Sequence, residues 1–363
     1  MLTYLLQFIA LVALDETADE RRWLHQPVFR TKASITIQMP DGETHSLFGT
    51  DFQVVGLKGG RVRVRDQRGV EGWIAKDEVV PLDEAVEFFS SRLKEATDKH
   101  NLFMRGAAWY RKGNLNQAIM DFSEAIRLEP CAVYYTWRGV AYCDQQEFEK
   151  AVADHTEAIR LDAKDPIAPM NRAIVWFHKQ DYDKAIADYT DAVEKAPEFA
   201  LVYCNRGIAW LYKKDTEKAL ADFNRAIELD GRFAEAFVCR TYVWEDRKKY
   251  DRQLEDCESA IRLNPLLASP YAIRAWVWAA CPDGKYRDGA KAVNSATKAC
   301  ELSQRKDWSS LAALAAGHAE CGDFRQAVET IKEALPLAPA VYRAKCQELL
   351  KCFEMQKPYR EDT

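Results

Sequence analysis

From residue 99 onward, apolar and polar positions recur with a fixed period. The small residues Gly106, Gly139, Ala173, Gly207, Thr241 and Ala275 are separated by 33, 34, 34, 34 and 34 residues. Three residues after each stands an aromatic: Trp109, Tyr142, Trp176, Trp210, Trp244 and Trp278. Twelve residues after the small position come Ala118, Ala151, Ala185 and Ala219, with Gln253 as a departure, and nineteen after it come Ala125, Ala158, Ala192, Ala226 and Ala260. Self-similarity at this period predicts one two-helix unit per copy. Neither helix of a unit can bury its apolar face alone, so stacked neighbours close the core. Small residues where helices meet let the backbones approach while large residues fill the gaps.

Upstream the period changes to two. Residues 33–39, Ala-Ser-Ile-Thr-Ile-Gln-Met, alternate as a strand does, and Pro40-Asp41-Gly42 supplies turn chemistry. Phe52-Gln-Val-Val55 and Arg61-Val-Arg-Val-Arg65 flank Gly56-Leu-Lys-Gly-Gly60, a hairpin candidate, and Gly69-Val-Glu-Gly-Trp-Ile74 reads as a further short strand. About five short strands in this stretch predict a small β-barrel. The closing run Gly72-Trp-Ile-Ala-Lys-Asp-Glu-Val-Val-Pro-Leu82 resembles the end of bacterial SH3-like domains. A proline-rich ligand would need a shelf of aromatics. Past Phe29 this stretch offers only Phe48, Phe52 and Trp73, at least one of which belongs in the core.

With the small residue set at position 8 of each copy, the first copy carries Leu102, Gly106, Trp109, Ala118, Phe122, Ala125 and Pro130. This pattern resembles the tetratricopeptide repeat: large at 4, small at 8, aromatic at 11, Ala at 20, aromatic at 24, Ala at 27 and often Pro at 32. The resemblance implies a mainly α fold, a helical-hairpin solenoid preceded by the SH3-like β-barrel. Seven repeats are expected, at 99–131, 132–165, 166–199, 200–233, 234–267, 268–307 and 308–341. Repeat six fits only if five extra residues, within Cys281–Gly289, lengthen the turn between its helices. Residues 82–98 read as a leading half-repeat, with Ala85 and Phe89 at positions 20 and 24. Residues 342–363 hold the end of a closing helix (340–355) and a tail. The expected division is therefore an apolar segment at 1–27, a barrel at 28–81, the half-repeat, the array at 99–341 and the cap, with barrel and array rigidly joined.

Composition adds constraints. The chain has 363 residues, 48% of them hydrophobic and 29% charged, and a formal charge of −5. It is too apolar for a disordered chain and too charged for a multi-span membrane protein. No basic excess points to nucleic acid. Residues Tyr4 to Leu14 form an apolar run interrupted only by Gln7, the length of a signal-peptide core and short of a membrane span. No Lys or Arg precedes it and no clean cleavage site follows. Two placements stay open: export to the cell envelope, with any membrane contact made by this segment, or the cytoplasm, where an amphipathic first helix would account for the run. The ten cysteines show no CxxC and no His/Cys cluster, so no metal or cofactor site is expected, and they read as buried small hydrophobes.

Candidate chemistry is sparse. The histidines occupy unrelated registers, and His155 and His318 stand at aromatic positions 24 and 11. No HExxH, GxSxG or phosphate-binding glycine motif occurs, so no catalytic residue and no small-molecule substrate is assigned. Position 7 is arginine in six repeats: Arg105, Arg138, Arg172, Arg206, Arg240 and Arg274. Position 23 is Asp121, Asp154, Asp188, Asp222 and Asp256 in five of them, and Ser295 in the sixth. A stack of arginines would suit an anion, but joint presence and absence of both types favours buried Arg–Asp pairing.

In tetratricopeptide arrays the first helices line a concave groove. The corresponding residues here are Met104, Trp137, Val140, Met170, Asn171, Ile174, Phe177, Asn205, Ile208, Tyr212, Tyr242 and Trp276. The set is largely apolar, with two amides able to hold an extended backbone. Its alternative is self-filling by the chain's own residues. The family's chaperone-tail clamp needs Lys at position 5, where this chain has Phe103, Thr136, Met170, Cys204 and Val238. The expectation is a non-enzymatic scaffold for an unidentified protein or peptide, with an envelope spacer module as the alternative.

Overall fold

A computed structural model describes residues 27–30, 36–38, 44–46, 51–58, 60–65 and 71–360. The apolar N-terminal segment up to residue 26, the Pro40-Asp41-Gly42 turn and Phe48 lie outside them. The chain divides into two compact units, one ending at Lys195 and one beginning at Ala196.

Among the described residues the first unit opens with seven strands: β1 (Pro27–Arg30), β2 (Thr36–Gln38), β3 (Thr44–Ser46), β4 (Asp51–Lys58), β5 (Arg61–Arg65), β6 (Glu71–Ala75) and β7 (Val79–Pro81). All pairings are antiparallel, in the order β3-β2-β6-β5-β4-β1-β7. In place of the expected closed barrel the strand module is an antiparallel sheet whose ladder is open, because no pairing among the described residues joins β3 to β7. Alternation selects the core. In β5, Val62 and Val64 point inward while Arg61, Arg63 and Arg65 face solvent. The glycine-rich stretch at 56–60 is less of a turn than its composition suggests. Strand β4 runs through Gly56 to Lys58, with a register shift between Val54 and Gly56, and Lys58 pairs with Arg61. Phe52 is buried and Trp73 half-buried, so they form no exposed aromatic shelf.

Helices follow in pairs. The first unit holds α1 (Leu82–Glu95), α2 (Lys99–Arg111), α3 (Leu115–Leu128), α4 (Ala132–Asp144), α5 (Phe148–Leu161), α6 (Ile167–His178) and α7 (Tyr182–Lys195). Phe29 of β1 and Val80 of β7 share one core cluster with Ala85 and Phe89 of α1 and with Leu102, Phe103 and Met104 of α2. The strand module and the first helices are therefore one packed body. The second unit holds α8 (Ala200–Tyr212), α9 (Thr216–Leu229), α10 (Ala234–Asp246), α11 (Tyr250–Leu263), α12 (Ala268–Ala280), α13 (Gly289–Leu302), α14 (Trp308–Glu320), α15 (Phe324–Leu337) and α16 (Ala340–Glu354).

Within each pair the period-34 pattern becomes contact. A Cβ on Gly106 would lie 2.7 Å from the Phe122 ring, one on Gly139 2.7 Å from His155, and one on Gly207 2.6 Å from Phe223. In these three repeats glycine at position 8 makes room for the ring at position 24. Elsewhere position 8 carries a side chain: buried Thr241 accompanies Cys257 and Ala275 accompanies Ala296, while Ala173 accompanies the buried ring of Tyr189. Turns between paired helices repeat as well. The residue at position 15 takes a left-handed backbone, with φ 78° at Gly113, 63° at Gln146, 61° at Gln180, 61° at Lys214, 53° at Lys248 and 83° at Gly322. The next residue then donates its N–H to the carbonyl of the position-11 residue, as Asn114 does to Trp109 and Lys249 to Trp244, at 2.9 and 2.8 Å. In repeat six the same carbonyl, on Trp278, accepts from Asp288 at 2.8 Å. The extra residues bulge out between the two, and the pattern resumes where it left off.

His155 stands where the first and fourth repeats hold phenylalanine. It is 1% exposed, and neither ring nitrogen has a hydrogen-bond partner among the described residues. Burial, with a smaller contribution from the Arg172 charge, pulls its pKa down to about 3. An unfolded histidine titrates near 6.5, so between about pH 6.5 and 3 the unfolded chain binds a proton that the folded chain refuses, and stability falls as pH falls. His155→Phe should remove this slope, adding about 1–2 kcal/mol at pH 5 and much less at pH 8. Urea midpoints at the two pH values test it, and an equal shift at both would overturn it.

Candidate functional site

Five arginine–aspartate pairs cross from first to second helix of a repeat. Arg105 reaches Asp121, Arg138 reaches Asp154, Arg172 reaches Asp188, Arg206 reaches Asp222 and Arg240 reaches Asp256, each with Nε and Nη2 on the two carboxylate oxygens at 2.7–2.8 Å. These are two-pronged, charge-assisted bonds, the strong class for arginine. Each aspartate is buried, between 4% and 8% exposed, while the arginines are half-buried. The remaining nitrogen, Nη1, is used between repeats: it donates from Arg105 to Ser90, from Arg138 to Ser123, from Arg172 to Thr156 and from Arg240 to Asn224. Those acceptors all stand at position 25 of the preceding second helix. That recurring hydroxyl or amide is visible in the sequence, but only the stacking of one repeat on the next shows what it faces.

Arg274 departs from the set. Its Nε meets Ser295 Oγ at 3.3 Å, and its guanidinium lies over the rings of Trp278 and Tyr271 at 4.8 and 5.6 Å. Ser295 in turn donates to the Tyr271 carbonyl at 2.9 Å. Arg240 lies over Phe237 and Trp244 in the same way, at 5.6 and 5.8 Å, so Arg274 keeps the aromatic contacts of the row and has a serine where the others have a carboxylate.

The groove residues do not behave alike. In the first unit Met104 is fully buried, because α2 inserts it into the core shared with the strand module, and Met170 is 8% exposed. Trp137 is half-buried against Phe103, Tyr110 and Phe122, with ring centroids 5.7–6.1 Å apart. Val140, Asn171, Ile174 and Phe177 keep partial exposure. In the second unit Asn205 is 4% exposed and offers little to a ligand. Tyr212 and Tyr242 are open, at 59% and 44%, and Ile208 and Trp276 are half-buried. Ile208, Tyr242 and Trp276 all stand at position 9, on α8, α10 and α12 respectively. The groove set therefore divides into residues that fill the core and a smaller set that presents aromatic surface.

Family profiles of the tetratricopeptide repeat match residues 103–166, 137–200 and 200–233. Residues 103–233 are tetratricopeptide repeats. Solved structures extend this fold along more of the chain. Yeast Tom70 superposes with a TM-score of 0.55 over 76% of this chain at 18% identity, and a chain of the APC/C hetero-tetramer Cut9-Hcn1 with 0.58 over 75% at 16%. This chain spans 59% and 52% of their lengths. A tetratricopeptide repeat protein from Parabacteroides merdae matches with 0.51, at 18% identity, over 70% of this chain and 98% of its own. At these identities the likeness is one of fold. No curated protein sequence matches the chain significantly.

Within the tetratricopeptide helices, among the described residues, no three His, Cys, Asp or Glu side chains are grouped to hold a metal, and no helix is long and apolar enough to cross a membrane. Sequence spacing showed no paired cysteines, yet stacking brings Cys204 of α8 and Cys239 of α10 into hydrogen-bond contact. That bond, with burial, raises the Cys204 thiol well above the usual range. Their separation of 35 residues is one repeat plus one, a register signal that could have been read.

Removing one partner of a buried pair leaves a charge without its counterpart, at a cost of about 3 kcal/mol or more. Asp188→Asn should therefore lower the urea midpoint by far more than a surface change does, while Arg172→Met with Asp188→Leu should recover most of the loss. An unchanged midpoint for Asp188→Asn would show that the pair carries no stability.

Proposed function

We propose that this chain is a non-enzymatic scaffold whose first-helix faces bind an extended segment of a protein partner. The tetratricopeptide fold is in general that of a protein-interaction scaffold, and one solved chain of this fold sits in a hetero-tetramer. The observation that carries the reading is the pair of open tyrosines on successive first helices of the second unit. Tyr212 at the end of α8 and Tyr242 on α10 expose 59% and 44% of their surface, although their helices are otherwise packed. Tyrosine gives a large, stiff contact with a polar tip, and such residues dominate protein interfaces. The Arg–Asp ladder contributes by holding helices in register. Its arginines are spent on internal carboxylates, which argues against an anionic ligand at that row.

Because both tyrosines are exposed, replacing them tests binding with little effect on folding. The full chain with Tyr212→Ala and Tyr242→Ala should keep its thermal midpoint within about 0.5 kcal/mol of stability. It should lose most of the proteins that the unaltered chain retains in quantitative affinity capture, with recovery down about tenfold or more. The same proteins recovered in the same amounts by both chains would sink the reading.

A further inference from the structure

After α16 the chain turns back on itself. Gln356 takes a left-handed backbone with φ 54°, Gln356 N donates to Phe353 O and Lys357 N to Cys352 O, both at 3.0 Å. This cap directs residues 357–360 across first helices α12 and α14. Tyr359 lies on Trp276 with ring centroids 5.9 Å apart, and Lys345 of α16 sits over both rings, 4.8 Å from Trp276 and 5.8 Å from Tyr359. Arg360 donates to the Ala279 carbonyl at 3.3 Å and pairs with Glu320, at the end of α14, at 2.6 Å. Trp276 occupies the same register as Ile208 and Tyr242, so the tail covers the last member of that row of large side chains.

Glu320 is held ready for a cation. Its other oxygen lies 3.3 Å from Arg287 Nε, and Arg287 is braced by donating to the carbonyls of Cys281 and Pro282, both at 2.9 Å. Those three residues belong to the insertion that lengthens repeat six beyond the common period. The departure from the 34-residue repeat thus has a structural consequence: it fixes the carboxylate that Arg360 meets, next to the tryptophan that Tyr359 covers.

We propose that Tyr359–Arg360 is a built-in ligand of this face, and that the face of α12, α14 and α16 accepts in trans a peptide segment carrying an aromatic residue followed by arginine. This rests on the peptide-binding reading above and names the chemistry of the partner segment. The aromatic ring packs on Trp276, the guanidinium pairs with Glu320 through Nη2, and Nη1 donates to the Ala279 carbonyl and to the segment's own preceding carbonyl. A tethered tail competes at an effective concentration of about millimolar, so a free segment binds well only when the tail is released.

The probe is a fluorescent peptide of residues 355–360, Met-Gln-Lys-Pro-Tyr-Arg, titrated by anisotropy against the full chain. The wild-type chain should bind it at least about tenfold more weakly than a chain carrying Tyr359→Ala and Arg360→Ala. Arg360→Glu, which repels Glu320 while leaving the Tyr359 ring, supplies a second opened chain if the double variant does not fold. Glu320→Gln in an opened chain should weaken the peptide about tenfold or more, and Tyr359→Phe alone should keep the face closed. Opened, folded chains that show no saturable binding, or that bind no better than wild type, overturn the proposal. If that result accompanies loss of capture on Tyr212→Ala with Tyr242→Ala, this inference alone falls and the proposed function stands.

Discussion

The two helices of a repeat approach one another through a small residue at position 8 set against position 24. In three repeats that residue is glycine, and the close approach there depends on its lacking a side chain. With glycine at 106, 139 and 207, a six-membered or imidazole ring lies where a Cβ would otherwise stand. Thr241 stands with the smaller Cys257, whereas Ala173 stands with Tyr189, so the fit is solved repeat by repeat at the close packing expected of an interior. His155 illustrates the limit of the rule: it has the right shape for the site and the wrong chemistry, and the cost of its two buried nitrogens falls on acid stability.

Once helices are set at this distance, polar groups on the same faces become buried and must be matched. The arginine–aspartate ladder answers that requirement. Two nitrogens of each arginine tie the two helices of its own repeat, and the third nitrogen of Arg105, Arg138, Arg172 and Arg240 ties the helix before it. A row of arginines in a sequence invites an anion-binding interpretation. The carboxylates and hydroxyls around this row leave it little to offer a ligand, which shifts attention to the first-helix faces.

Those faces are uneven. Residues at one register number do different jobs, because neighbours differ: at position 6, Met104 is core where the strand module covers α2, while Asn171 keeps partial exposure on α6. At the far end of the second unit the chain covers the face with its own tail. Self-filling and partner binding are therefore compatible uses of one surface, the first setting a threshold for the second.

The period, the number and pairing of helices, the closing helix and the partners in the ladder were legible in the sequence. Each recurs at fixed spacing, and repetition lets a local preference be read many times over. The strand count and the open ladder were not, since short strands pair over long separations that no local pattern encodes. Nor could spacing tell which groove residues stay exposed, that position 25 receives the third arginine nitrogen, or that residues 359 and 360 return to Trp276 and Glu320. All of these depend on one element lying against another. The sequence by itself determined the repeat and its internal contacts, because these are short-range and periodic. Only the tertiary structure decided which surface remains open, because exposure is a property of neighbours rather than of the residue itself.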